Sequence, residues 1–227
     1  MIMNKFHPLT ITSINRLTAD AVAISFNVSN NTLFQFEAGQ YITIKKDING
    51  EEVRRAYSIC SMNSEGVTIG VKKVETGRMS SFLTQSVKEG DVLNVMPPSG
   101  NFVIKGDNKH IVGICAGSGV TPIIAMIKTE LAKPSDAKFT LIYGNKTKDS
   151  SMFAEELHQL QINNSDRLKI HNAYSREGVA GAINGRLDKN TIQQLLNTFM
   201  SLKTADAYFI CGPGELIDNT NELLLLN

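Results

Sequence analysis

The chain has 227 residues, 42% apolar and 20% charged, with 23 basic side chains against 22 acidic ones. That length suits one large domain or two of roughly 100 residues, and near-zero net charge gives neither nucleic acid nor a membrane surface a general hold. No apolar run approaches the roughly 20 residues of a membrane span, and the opening Met1–Lys5 is too short in its apolar part for a signal peptide, so the chain is expected to be cytoplasmic.

The first hundred residues read as β. Apolar side chains fall on every second position in Val22, Ile24, Phe26 and Val28, and again in Ile42 with Ile44, Val67 with Ile69 and Val71, and Leu93 with Val95. Turn-like Asn49-Gly50, Glu65-Gly66 and Glu89-Gly90 separate these runs, so the spacing predicts an antiparallel barrel of Greek-key type. One helix interrupts it after Gly77-Arg78-Met79-Ser80, where strand alternation is lost through Val87. Pro97 to Ile104 closes this half, and polar Lys105–Lys109 makes the linker between domains 1–104 and 105–227.

Beyond Lys109 the rhythm changes. Strands are expected over Ile111–Cys115, Phe139–Tyr143, Leu168–Ala173 and Tyr208–Cys211, with helices beginning near Pro122, Ser151, Asp188 and Gly214. Alternating strand and helix argues for a parallel, doubly wound sheet. A helix starting after Gly214 and ending at Asn227 leaves the chain without the further strand that a five-stranded sheet would need, so the second domain is expected to be cut short.

Three segments carry chemistry in order. Arg55-Ala56-Tyr57-Ser58 sets a cation, a phenol and a hydroxyl on one extended strand, with Arg55 and Tyr57 on one face and Ser58 on the other. A flavin dinucleotide needs such groups: a guanidinium for its pyrophosphate, a flat ring, and a hydroxyl near the reactive N5. An exposed strand with a packed Tyr is the plain alternative. Gly117-Ser118-Gly119-Val120-Thr121-Pro122 closes a strand and opens a helix, so bare backbone amides and a positive dipole end could take a pyrophosphate. Pro122 suits the first helical turn. Cys211-Gly212-Pro213-Gly214 ends a strand at the carboxyl edge of the sheet, where a small thiol could lie against a nicotinamide.

Weaker signals flank these segments. Gly77 to Ser80 opens the barrel domain's helix and is either a second phosphate cradle or a simple cap by Ser80. Asn145-Lys146 and Ser175-Arg176 follow two strand ends and offer a hydroxyl and two cations, which suits a 2′-phosphate and favours NADP over NAD unless they are only solvated loop charges. The widely spaced Cys60, Cys115 and Cys211 supply neither a disulfide framework nor an iron–sulfur cluster, and Cys60 and Cys115 read as small core residues. The four histidines, His7, His110, His158 and His171, are dispersed and support neither a metal site nor a catalytic triad.

Taken together, Arg55 to Cys60, Val92 to Phe102, Gly117 to Pro122, Leu141 to Lys146 and Cys211 to Gly214 resemble the ferredoxin–NADP+ reductase family. The wording is nearest to reductase components of multicomponent oxygenases such as that of phenylacetyl-CoA. The resemblance implies FAD on the barrel and NADP(H) on the second domain. It gives Arg55 the FAD pyrophosphate, Tyr57 the flavin ring and Ser58 a hydrogen bond near N5. Ala56 lies between them, the Val71 and Lys72 backbone lines the flavin, and Gly77, Arg78, Met79 and Ser80 hold its phosphates. Gly117, Ser118, Gly119 and Thr121 take the nucleotide pyrophosphate, and Ser175, Arg176 and Lys146 the 2′-phosphate. Cys211, with Gly212 and Pro213, meets the nicotinamide at the flavin, so Ser58 and Cys211 flank the hydride step. Electrons then leave singly for an iron–sulfur acceptor. The [2Fe–2S] domain that follows in oxygenase-linked relatives would lie on a partner or on a missing C-terminal domain. A rival reading is a non-catalytic flavin electron-transfer subunit of the dihydroorotate dehydrogenase type, but the cysteine cluster of that relative is lacking.

Overall fold

The computed structural model describes residues 5–29, 31–199 and 202–226. Met1–Asn4, within the segment tested for a signal peptide, and Asn227, where the last helix was expected to end, lie outside the described residues. The chain forms two compact units that part between Val103 and Ile104, except that Ile124–Met126 group with the first.

The first unit is a six-stranded antiparallel sheet in the order β4-β3-β6-β1-β2-β5, built from β1 (His7–Thr18), β2 (Ala21–Phe26), β3 (Tyr41–Ile48), β4 (Glu51–Ser58), β5 (Thr68–Lys72) and β6 (Val92–Val95). Its two end strands meet, because Ile59 bridges Ile69 and the Cys60 amide donates to Thr68 O at 2.8 Å. This seam closes the sheet into a barrel. The alternating residues Ile24, Ile42, Ile44, Ile69, Val71, Leu93 and Val95 fill its interior, none more than 2% exposed. Asn49 (φ 56°) and Gly50 (φ 80°) make the two-residue β3–β4 hairpin, whose paired positive φ values match the strand twist. Helix α1 (Arg78–Gln85) buries Met79, Ser80, Leu83 and Thr84.

The second unit is a five-stranded parallel sheet in the order β10-β9-β8-β7-β11. Its strands are β7 (His110–Ala116), β8 (Lys138–Asn145), β9 (Leu168–Tyr174), β10 (Ile183–Asn184) and β11 (Ala207–Cys211), with α2 (Val120–Ala132), α3 (Ala154–Asn163), α4 (Lys189–Thr198) and α5 (Gly214–Leu226) between and after them. Val112, Ile114, Ile142 and Ala173 pack under Leu187, Ile192, Leu195, Leu196, Leu216 and Leu223 on one face. On the other face Gly113 lies so close to Ile123 of α2 that a Cβ would come within 2.8 Å of its Cγ2.

Three boundaries differ from the sequence expectation. A turn of 3₁₀ helix at Gly117–Gly119 runs directly into α2, which starts at Val120 rather than Pro122. Thr147 caps a second 3₁₀ turn, Lys148–Ser150, and Phe153 adopts φ 58°, so α3 begins at Ala154 and not near Ser151. The sheet is five-stranded, contrary to the expectation that a strand was lacking: the two-residue β10, too short for any periodicity to announce, pairs with the end of β9.

Candidate functional site

In the first unit the candidate flavin residues gather around β4. Val53, Arg55, Tyr57 and Ile59 share one parity, with Val53 and Ile59 buried, while Tyr57 is half-buried and Arg55 exposed as the strand nears the barrel mouth. Burial pushes the Tyr57 phenol up to about 12, although the Arg55 charge works the other way, so the ring stays neutral. The Arg55 guanidinium donates to Arg54 O at 2.7 Å and remains open to a ligand anion. Ser58 is half-buried on the opposite parity, and exposed Ala56 lies between.

Beside Ser58 in the register stands Tyr41, 37% exposed, with its ring against Gly100, where a Cβ would lie 3.1 Å from Cδ1 and Cε1. The sequence reading passed over Tyr41. Its one signal was an exposed aromatic out of phase with buried Ile42 and Ile44.

Val71 is buried and Lys72 carries an ion pair to Asp20 at 3.3 Å, so both can offer a ligand only main-chain groups without losing these contacts. The start of α1 is tied to the start of β4 by Arg78–Glu51 at 2.5 Å. Gly77 is required there, because a Cβ would meet Ser80 Oγ at 2.5 Å and Val74 O at 3.0 Å. The Ser80 hydroxyl donates to Gly77 O and accepts from the Val74 amide, both at 3.1 Å. It pins the preceding loop, and with Met79 buried, what this helix start presents to an anion is backbone amide and the exposed Arg78 side chain. These residues fit a flavin dinucleotide: a cation, two aromatic rings, a hydroxyl and a helix start lie around one strand.

In the second unit the chain runs from β7 outward to β10 and then crosses back to β11 on the other side of β7. The order therefore reverses between β7 and β11, and the crevice beyond the carboxyl ends of these strands is where open α/β sheets take ligands. The glycine turn and the Cys211 segment both lie there. Gly117 (φ 55°) has no protein atom within 4 Å of where a Cβ would be, which leaves an open face over the turn. Gly119 is closed in: its Cβ would sit 2.2 Å from Cys211 O and 2.6 Å from Cys211 C. Ser118 is exposed at the helix start, whereas the buried Thr121 hydroxyl donates to Ser118 O at 2.9 Å and braces the turn. Tyr143 OH donates to Gly117 O at 3.2 Å from below, its acidity suppressed by burial. Open backbone above a helix start suits a pyrophosphate.

The further candidates follow along the same edge. The Ser175 amide donates to Asn145 O at 3.0 Å, the Arg176 amide to Lys146 O at 2.9 Å, and the Lys148 amide to the Glu177 carboxylate. This ladder knits the loops after β8 and β9 into one lip on which Lys146, Ser175 and Arg176 are all exposed. Asn145 Nδ2 is buried there, on the side of the Tyr143 hydroxyl. Cys211 is half-buried and burial pushes its thiol up, so it rests as neutral sulfur. Gly212 and Pro213 carry the chain over from β11 into α5, with Gly212 packed where a Cβ would meet the Ala116 amide at 3.2 Å. Among the described residues no group of three side chains could hold a metal ion, and no helix is long and apolar enough to cross a membrane.

Residues 8–104 match the oxidoreductase FAD-binding domain and residues 114–222 the oxidoreductase NAD-binding domain. The chain is 35% identical to a component of the 1,2-phenylacetyl-CoA epoxidase of Escherichia coli over 98% of its own length and 64% of that relative. It is 31% identical to the 3-ketosteroid-9-alpha-monooxygenase ferredoxin reductase component of Rhodococcus rhodochrous, covering 95% of this chain and 60% of that one. It thus spans less than two thirds of either relative. A ferredoxin NADP+ reductase from Neisseria gonorrhoeae with bound FAD and NADP shares the fold, with a TM-score of 0.79 at 21% identity over 97% of this chain and 91% of that one. Two nucleotide domains in this order, one a closed barrel and one a parallel sheet with an open glycine turn, place the chain in the family of FAD- and NAD-binding oxidoreductases of the ferredoxin reductase type.

Proposed function

We propose that the chain is the reductase portion of a multicomponent oxygenase of the phenylacetyl-CoA type, working in the cytoplasm, taking hydride from NADPH and delivering electrons singly to an iron–sulfur protein or domain. The observation that carries this reading is the 35% identity to an epoxidase component through 98% of the chain. Bound FAD supplies the conversion of a two-electron hydride into single electrons. Arg55 then neutralises the flavin pyrophosphate, assisted by main-chain amides from Gly77 to Ser80. Tyr57 and Tyr41 offer flat neutral rings, and the Ser58 hydroxyl holds a hydrogen bond near N5. The Val71–Lys72 backbone lines the ring edge.

On the second unit the turn from Gly117 to Thr121 binds the nucleotide pyrophosphate through amides and the Ser118 hydroxyl. The Cys211 thiol is the soft surface for the nicotinamide, positioned by Gly212 and Pro213. Lys146, Ser175 and Arg176 hold the 2′-phosphate, which makes NADPH the preferred donor. The knitted lip favours this assignment because the donors are presented on two loops already fixed to each other.

An anaerobic absorption titration of the purified protein tests the reading. A yellow protein bleached at much lower NADPH than NADH, and reoxidised by a [2Fe–2S] ferredoxin, is expected. A colourless protein that cannot be reconstituted with FAD would sink it. For selectivity, Arg176→Ala should raise KM for NADPH on the order of tenfold or more, the loss of a charge-assisted phosphate contact, with KM for NADH nearly unchanged. Equal losses with both nucleotides would refute the 2′-phosphate assignment.

A further inference from the structure

We propose that Cys115 and Cys211 are an oxidisable thiol pair, closed to a disulfide by hydroperoxides, at the root of the nucleotide turn. Nothing in the hydride chemistry uses Cys115. The two cysteines are register partners on the neighbouring parallel strands β7 and β11, so their side chains leave the same face of the sheet side by side. Strands so paired lie about 4.8 Å apart, inside the Cα separation of roughly 4.4–6.8 Å that disulfides span. Cys211 is the last residue of β11, at the strand's carboxyl end. Both are free thiols, and they differ in access: Cys211 is half-buried and Cys115 fully buried. Cys60, the third cysteine, is buried in the other unit.

The asymmetry sets the order of events. The Cys211 thiolate attacks one oxygen of the hydroperoxide and the O–O bond breaks. The departing oxygen leaves as water or alcohol with the thiol's proton, and Cys211 becomes a sulfenic acid. The Cys115 sulfur then attacks the Cys211 sulfur, the S–O bond breaks, and the oxygen leaves as water with the Cys115 proton. The two sulfurs lose two electrons and the peroxide gains them.

Closure reaches the turn above. Cys211 O lies where a Cβ of Gly119 would be, 2.2 Å away, and Cys115 is two residues before Gly117. Drawing the sulfurs together moves the β11 end against Gly119, so oxidised protein binds nucleotide less tightly. By linkage, bound nucleotide slows oxidation. This coupling rests on the function proposed above, whereas the thiol pair does not.

The test uses the full chain as purified, reduced and then exposed to hydrogen peroxide at pH 8, followed by denaturation, alkylation of remaining thiols and peptide mass mapping. Two of the three thiols should disappear into a Cys115–Cys211 cross-linked peptide, dithiothreitol should restore both, and Cys60 should stay alkylatable throughout. The rate should rise roughly tenfold per pH unit below the thiol pKa, since only thiolate reacts. In Cys115→Ala the Cys211 sulfur should instead proceed to a sulfinic acid that dithiothreitol does not recover. The wild-type map decides alone if that variant does not fold. Sulfinic acid on Cys211 beside a free Cys115 in the wild type, or a cross-link between two copies, would overturn the pair. Saturating NADP+ should slow closure about tenfold. A disulfide that forms at the same rate with NADP+ present overturns the coupling and leaves the pair standing.

Discussion

Gly117 and Gly119 sit two residues apart and are glycine for different reasons. Gly117 has space but a left-handed backbone, and Gly119 an ordinary backbone but no space. Gly117→Ala should cost about 1–2 kcal/mol of left-handed strain, which Gly117→Asn should largely restore. Gly119→Ala should cost about 1–3 kcal/mol by overpacking, and Gly119→Asn should be worse. Urea unfolding with nucleotide titration separates the two, and equal behaviour of the two Asn variants would refute the distinction. A glycine-rich turn was legible in the sequence. The partner that makes Gly119 obligatory was not, because Cys211 reaches it only through the sheet. For the same reason Ser80 read as a capping or phosphate-binding hydroxyl, while its bonds to Val74 and Gly77 depend on how the preceding loop folds back.

The long strands and helices announced themselves. β7, β8, β9 and β11 carry apolar runs, and Asp188 caps α4 by accepting from the Thr191 amide at 2.8 Å, as its place ahead of the periodic residues suggested. Less visible is what ends α2. Arg167, on the approach to β9, forks its guanidinium over Glu130 O at 2.8 Å, Leu131 O at 3.1 Å and Ala137 O at 3.2 Å, satisfying carbonyls that a helix end leaves open. Arg167→Met should lower unfolding free energy by about 2 kcal/mol, and Arg167→Lys should recover less than half, because an ammonium cannot span the fork. Full recovery by Lys would show that charge alone matters. His171 on β9 lies against Phe199 just past α4, ring centroids 4.6 Å apart. Burial, aided by the Lys169 charge, holds its pKa below the ordinary value of 6.5. The unfolded chain therefore takes up this proton first, so the folded state loses stability as pH falls below 6.5 and regains it as pH rises. His171→Gln should flatten that part of a stability profile, and an unchanged slope would remove His171 as its source.

Across the whole molecule, each unit brings its own core and its own candidate site. Stripping FAD should raise hydrogen exchange at the end of β4, the end of β5 and the start of α1. Adding NADP+ should lower exchange at Gly117–Thr121, 145–148, 175–177 and 211–213. Exchange mapped by mass spectrometry checks both sets, and protection by NADP+ that misses the Gly117 turn would displace the nucleotide site. The division into a barrel and a parallel sheet could be read from the change of rhythm near Lys109. The same spacing announced the barrel, but not which residues close it: Ile59 lies past the end of β4, and only the folded chain brings it to Ile69 and the Cys60 amide to Thr68 O.

The crossing from β10 back to β11 also orders the events of folding. β7 can pair with β8, and β8 with β9, soon after each is made, but Cys211 finds Cys115 only roughly a hundred residues later in the chain, the costliest loop closure in the sheet. Until then the Cys211 backbone is not in place against Gly119. The glycine turn is thus among the first segments of the second unit to be synthesised, held early by the Thr121 and Tyr143 hydroxyls, and it waits for β11 to gain its contact at Gly119.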